Sequence, residues 1–209
     1  MKTRRIVWLG LAVLLLGAAL PLSVGAGSGN HLMRWDIIRL SGAPPTIHIS
    51  AGGTASALAN DGSKITLTGS GTFRSNGGRP QDVSGGGTWT TYASGGAQTA
   101  TGSYAVSGFV SYVPAPGAAP SPPFVPDITG NADTARAGLA VFRIAYSDGS
   151  EGVLVVSCHL PTTTIDSIFE GVTASKGYTD YWNRQAPFPA GPPFVTGENE
   201  NRTQFNVLR

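Results

Sequence analysis

The sequence predicts an all-β chain, a single antiparallel barrel or sandwich of roughly eight to ten strands with one long proline-rich loop. Three observations carry this. Apolar and polar residues alternate with a period of two over several segments, which puts them on opposite faces of a pleated strand. Asp-Gly pairs and glycine-rich stretches punctuate those segments as hairpin turns do. Beyond the leader, no segment sustains the 3.6-residue period of a long helix.

Residues 1–26 stand apart. Lys2, Arg4 and Arg5 precede the apolar run "IVWLGLAVLLLGAALPL", and "SVGA" supplies small residues before Gly27. That order reads as a secretory signal peptide, with an uncleaved N-terminal membrane anchor as the alternative. The expected location is secreted or extracytoplasmic, with no membrane association once the leader is cut. Residues 27–209 are then expected to form a single all-β domain. Without the leader, eleven Lys and Arg face twelve Asp and Glu, a net charge of −1. No basic stripe remains to neutralise phosphates, which argues against nucleic acid as a partner. One cysteine, Cys158, excludes an intrachain disulfide, so apolar packing must hold the fold.

Along the chain, "RWDIIRLS" and "TIHIS" give two strands. "TASALAN" and "KITLTGSGTFR" flank Asp61-Gly62, which predicts a hairpin over 54–74 with Ile65, Leu67, Gly69, Gly71 and Phe73 on one face. The same alternation puts Val83, Gly85, Gly87 and Trp89 together, and then Ala100, Gly102, Tyr104, Val106, Gly108, Val110 and Tyr112. Three strands thus carry Gly, a hydroxyl residue and an aromatic: "GTF", "GTW" and "GSY". Glycines on an inward face let a sheet coil while neighbouring aromatics cover the bare backbone. The result is either a curved sheet with a filled interior or a concave face deep enough for a ligand. "VPAPGAAPSPPFVPD" marks the proline-rich loop, about 113–129. Next, "AGLAVFRIAYSDGSEGVLVVSCHLP" reads as a hairpin about Asp148-Gly149; a two-residue turn would set Ile144 against Val153 and Leu139 against Cys158. A strand in "SIFEGVTAS", a short helix or turn in "KGYTDYWNR" and a strand in "TQFNVL" complete the chain.

Cys158 adjoins His159, but neighbours on a strand point to opposite faces, so the pair is not expected to act as thiolate and base. Scattered His31, His48 and His159 give no metal-ligand spacing, and no metal or cofactor is expected. Asn201-Arg202-Thr203 fits a glycosylation sequon. The densest polar and aromatic stretch supplies Glu170, Lys176, Tyr178, Asp180 and Trp182. Tyr and Trp bury large area while keeping one polar handle, as a binding rim needs.

The run from "AGLAVFRIAYSDGSEGVLVVSCHLP" through "IFEGVTASKGYTDYWNR" to "NRTQFNVL", with "GTASALANDGSKITLTGSGTF" upstream, resembles a family of secreted bacterial β-rich proteins with no assigned activity. The resemblance implies a bacterial exported protein and carries over no site. "GTW" also resembles the motif of lipocalin-like and avidin-like barrels, where it lies on the first strand rather than in mid-chain. The functional expectation is a non-enzymatic binder of a small apolar or carbohydrate ligand, or of a surface partner, through Trp89, Tyr104, Glu170, Lys176, Tyr178, Asp180 and Trp182. One alternative is a secreted hydrolase or isomerase using Glu170, Asp180 or His159 as acid or base; another is a purely structural surface module.

Overall fold

The computed structural model describes residues 29–77, 79–117, 124–126, 132–161, 164–194 and 200–208. The expected leader lies outside them, as does most of the proline-rich loop. In chain order the first strands are β1 (Leu32–Ala43), β2 (Thr46–Ala51), β3 (Ala55–Leu58), β4 (Lys64–Leu67), β5 (Ser70–Arg74), β6 (Val83–Tyr92) and β7 (Gln98–Ala115). Then follow β8 (Phe124–Pro126), β9 (Ala135–Tyr146), β10 (Glu151–Cys158), β11 (Gly171–Lys176), β12 (Thr179–Tyr181), β13 (Asn183–Arg184) and β14 (Arg202–Val207).

Six of these strands close an antiparallel barrel in the cyclic order β1, β5, β6, β7, β9, β14. Four strands from before the proline-rich loop stand side by side in the ring, and β9 and β14 from after it complete the closure. The remaining strands are additions. β10, β11 and β12 extend from β9, while β4, β3 and β13 extend from β6, and β11 lies against β3 to form an arch beside the barrel. β2 pairs with the second half of β1, and β8 joins β2 in parallel.

Three hairpin turns share one geometry. The Ala59 N–H donates to Ser63 O at 2.8 Å and the Gly62 N–H to Ala59 O at 3.0 Å; the pairs Ala93/Ala97 with Gly96 and Tyr146/Ser150 with Gly149 repeat it. The last loop residue is glycine each time, at φ of 82°, 85° and 85°, where other residues are strained. Each loop is therefore three residues long, a turn closed by a glycine bulge, rather than the two-residue loop that Asp-Gly suggests. The extra residue corrects the expected register by one. Ile144 faces Gly152 and Cys158 faces Gly138, in place of Val153 and Leu139. Asp61 and Asp148 fix their turns by accepting both the N–H and the hydroxyl of the serine two residues on.

Other expectations shift for similar local reasons. "KITLTGSGTFR" keeps one register against β6, but its two halves pair with different strands on the other edge, β4 with β3 and β5 with β1. Two bulges in β7, between Val106 and Gly108 and between Phe109 and Ser111, re-aim the alternation. Phe109 packs against the core as a result, and Val110 is exposed. Val113, Pro114 and Ala115 belong to β7 rather than to the loop, and of the short helix or turn expected in "KGYTDYWNR" the turn is found, at Gly177-Tyr178, with β12 and β13 following it. These splits and additions raise the strand count above the expected ten.

The interior is aromatic and closed. Trp35, Phe73, Trp89, Phe142 and Phe205 are fully buried. Phe73 packs on Phe109, Tyr112, Phe142 and Phe205 at centroid distances of 5.4, 5.3, 5.5 and 5.9 Å. Each such ring contributes about 1.5–3 kcal/mol by leaving water. Gly69, just before β5, and Gly71 within it make room for this. A Cβ at Gly69 would stand 2.2 Å from Tyr104 Oη, and one at Gly71 would stand 2.7 Å from Trp35 Nε1.

Candidate functional site

Where β14 begins, the barrel wall is incomplete. β14 pairs with Ala135 and Arg136 of β9, and β10 takes over from Gly138 onward. Between the two strands lies a cavity of about 280 Å³. Its apolar walls come from Ile38 and Leu40 of β1, Ile49 of β2, Leu160 and Phe194. Its polar lining comes from His159, Glu170, Arg202, Thr203 and Gln204.

Glu170 braces the gap. It directly precedes β11, and Gly171, at φ 110° and with its Cβ position 3.1 Å from Asn201 O, lets the chain turn closely past β14. One carboxylate oxygen accepts the His159 N–H at 2.5 Å and the other accepts the Thr203 N–H at 2.5 Å. Thr203 Oγ1 adds a bond to Ser157 O at 2.6 Å, so the ends of β10 and β14 are tied through one carboxyl and one hydroxyl. Burial pushes the Glu170 carboxyl up to about 8, although the His159 and Thr203 amides and the nearby Arg202 pull it down.

Arg202 forms another part of the wall. Its guanidinium donates to Glu200 O at 3.1 Å and Pro189 O at 2.5 Å, and lies 5.0 Å from the Phe194 ring centroid. Burial lowers its proton affinity; Glu170 and Glu200 act the other way. Glu200 is itself buried, accepts the Leu40 N–H at 2.6 Å and stands 3.8 Å from Arg39 Nε. Its carboxyl is raised by burial, against Leu40, Arg39 and Arg202. Between the two charged residues, Asn201 takes φ 51°, a left-handed conformation that Asn tolerates better than most residues. It accepts the Ser56 N–H at 2.6 Å and donates Nδ2 to Ala186 O at 2.9 Å. The nitrogen that a glycan would occupy is thus buried and committed, so the sequon is closed in the folded chain.

The residues expected to bind ligand fall in three places. Trp89 and Tyr104 are in the packed core, donating to Ser103 O at 3.0 Å and Thr68 O at 2.8 Å. Lys176 covers that core from outside, its ammonium 4.3 Å from the Trp89 ring centroid and 5.0 Å from that of Tyr146, anchored by Asp148 and Ser150. Tyr178 is fully exposed in the β11–β12 turn, Asp180 is exposed on β12, and Trp182 is half exposed between β12 and β13. Of the seven, Glu170 lines the cavity. Cys158 lines it as well, but burial, and then Glu170, push its thiol well above the usual range. Glu200, Asn201, Arg202 and Thr203 were missed as site residues, since their partners lie far along the chain and no local period marks them. Among the described residues, no group of three His, Cys, Asp or Glu is placed to hold a metal ion.

Comparison of the chain with protein-family models, curated proteins and solved structures finds no match.

Proposed function

We propose that the protein is an exported, non-enzymatic binding protein that holds a small, mainly apolar ligand in the Glu170 cavity. The observation that supports this is the lining itself: Ile38, Leu40, Ile49, Leu160 and Phe194 surround a few convergent polar groups, the composition of a small-molecule site. The polar groups are already engaged, both Glu170 oxygens by backbone N–H groups and the Arg202 guanidinium by Glu200 O and Pro189 O, which leaves the apolar walls as the main surface a guest meets. Native mass spectrometry of the full chain purified from its own host tests the reading. A retained small molecule that is lost when the exposed wall residue Ala190 becomes Trp supports it; a bound mass that survives Ala190→Trp, or no bound mass at all, overturns it.

A second reading, a hydrolase or isomerase, has one observation in its favour: a carboxyl raised to about 8 beside His159 in a cavity is what a general acid requires. Against it, both Glu170 oxygens already accept backbone N–H groups. Asp180 faces Ser175, five residues along β11 from Glu170, or about 16 Å, beyond the reach of a paired acid and base.

A further inference from the structure

The open end of the barrel, remote from Glu170 along β14, holds a larger cavity of about 540 Å³. It is built where β1 starts, β7 ends, β9 starts and β14 ends. Met33, Tyr112, Ala115, Ala137 and Val207 give it apolar walls, and Arg136 and His31 stand among its polar lining. Tyr112 seals the floor, its ring 5.3 Å from Phe73 and 5.5 Å from Phe205 between centroids, and its hydroxyl donating to Ala137 O at 3.1 Å. The rim is fixed before any ligand arrives. His31 N–H donates to Ser75 Oγ at 3.0 Å, Ser75 N–H to His31 O at 2.9 Å and Ser75 Oγ to Gly29 O at 2.9 Å.

Arg136 gives this bowl its chemistry. Nη1 donates to Asp133 O at 3.0 Å and to Ala135 O at 2.7 Å, which orients the guanidinium without neutralising it. Among the described residues no carboxylate pairs with Arg136, and its Nε and Nη2 have no acceptor. A fixed, uncompensated guanidinium matches a planar anion through two parallel hydrogen bonds. The apolar walls below match a hydrocarbon body, and the mouths of barrels are regular places for such sites.

We propose that the barrel mouth is a second ligand site, which takes a small amphiphile with a carboxylate head at Arg136 and an alkyl body over Met33, Tyr112 and Val207. This inference does not depend on the Glu170 cavity. Isothermal titration of the full chain with octanoate, octan-1-ol and acetate tests it. Octanoate is expected to bind at least about ten-fold more tightly than octanol, because only the anion meets the guanidinium. Acetate, lacking the body, is not expected to saturate. Arg136→Gln should bring octanoate down to the level of octanol, and Ala115→Trp should remove both, with far-UV circular dichroism confirming folded variants. Ala190→Trp, in the other cavity, should leave octanoate binding unchanged. Octanol binding as tightly as octanoate, octanoate indifferent to Arg136→Gln, or binding abolished by Ala190→Trp and kept by Ala115→Trp would each overturn the proposal, as would no octanoate binding to the unaltered chain.

Discussion

The core around Trp89 and Tyr104 and the cavity around Glu170 solve opposite problems with the same barrel. In the core, Gly69 and Gly71 stand against Tyr104 and Trp35, and Trp89 and Tyr104 spend their polar atoms on backbone: Trp89 reaches 14 residues along the chain and Tyr104 reaches 36. At the cavity the strands diverge, and the gap is bridged by charged and amide side chains whose partners are remote. Ser56 to Asn201 spans 145 residues and Leu40 to Glu200 spans 160. The first region is filled by local alternation. The second is held open by buried polar groups that bond mainly to backbone donors and acceptors. Packing thus dictates the closed half, and hydrogen bonding dictates the open one.

The largest expected effect breaks the closed half. At Gly71 an added Cβ would lie 2.2 Å from Ser84 O, so Gly71→Val forces β5 and β6 apart at the barrel wall. We expect a loss of about 3–5 kcal/mol in urea unfolding, the upper end of overpacking costs because the obstructing atom is backbone. At the tip of the β6–β7 hairpin, Gly95 has nothing within 4 Å of its Cβ position, and Gly95→Ala should be near neutral. Equal stabilities for the two variants would remove the claim that inward glycines set the packing.

Next in size is Asn201 in the open half. Asn201→Ala removes the acceptor for Ser56 N–H and the donor to Ala186 O, and it leaves alanine at φ 51°. Two buried bonds and a left-handed backbone together should cost about 2–4 kcal/mol. Asn201→Gly relieves the backbone part and should recover about 1 kcal/mol of that loss, measured by the same denaturation. If glycine and alanine are equally damaging, the backbone conformation is not part of the cost.

These two regions were unequally legible. Alternation put Ile65, Leu67, Phe73, Trp89 and Tyr104 inward, and all five are buried. Asp-Gly located two hairpins, yet the register about Asp148-Gly149 was off by one, because the same dipeptide serves a three-residue loop when its glycine takes the bulge position. Alternation also misplaced Val110, since a bulge leaves no mark in composition. The open half was nearly silent. Glu170 stood out only as one carboxylate in a polar stretch, and nothing in "ENRTQFNV" announces that Glu200, Asn201 and Arg202 are buried. Long-range partners set their burial, and a one-dimensional period does not encode them. Tyr178 and Trp182 drew notice as aromatics, but their exposure depended on whether their segment formed a helix or a hairpin.

A gentler test reads the open half by pH. Glu170 titrates near 8 in the folded chain against an ordinary value of 4.5, so the folded state binds its proton more tightly than the unfolded chain. Stability from this group is therefore complete below about pH 4.5 and is lost as pH rises through about 8, with a slope of at most about 1.4 kcal/mol per pH unit between those limits. Glu200 and Asp36, also raised mainly by burial, act in the same direction. Melting temperatures should fall from pH 5 to pH 8. Glu170→Gln, which keeps an acceptor for one of the two amides and cannot titrate, should flatten the slope while lowering stability at pH 5. An unchanged slope in that variant would place the pH response elsewhere and leave Glu170 as a brace whose charge is immaterial.

The smallest effect separates exposure from function. Tyr178 is fully solvent-exposed in the turn that follows β11, so Tyr178→Ala should change stability by less than about 0.5 kcal/mol. Lys176, two residues earlier, covers Trp89 and Tyr146 and is tied to Ser150. Lys176→Ala should therefore cost more, about 1 kcal/mol or somewhat above, through lost cation–π contact and a less covered ring. The pair of variants asks whether the hairpin supports the closed half through its strand end rather than its tip. If Tyr178→Ala matched or exceeded Lys176→Ala in urea, the exposed ring would have a structural partner, and its value as a free aromatic for a surface partner would be gone.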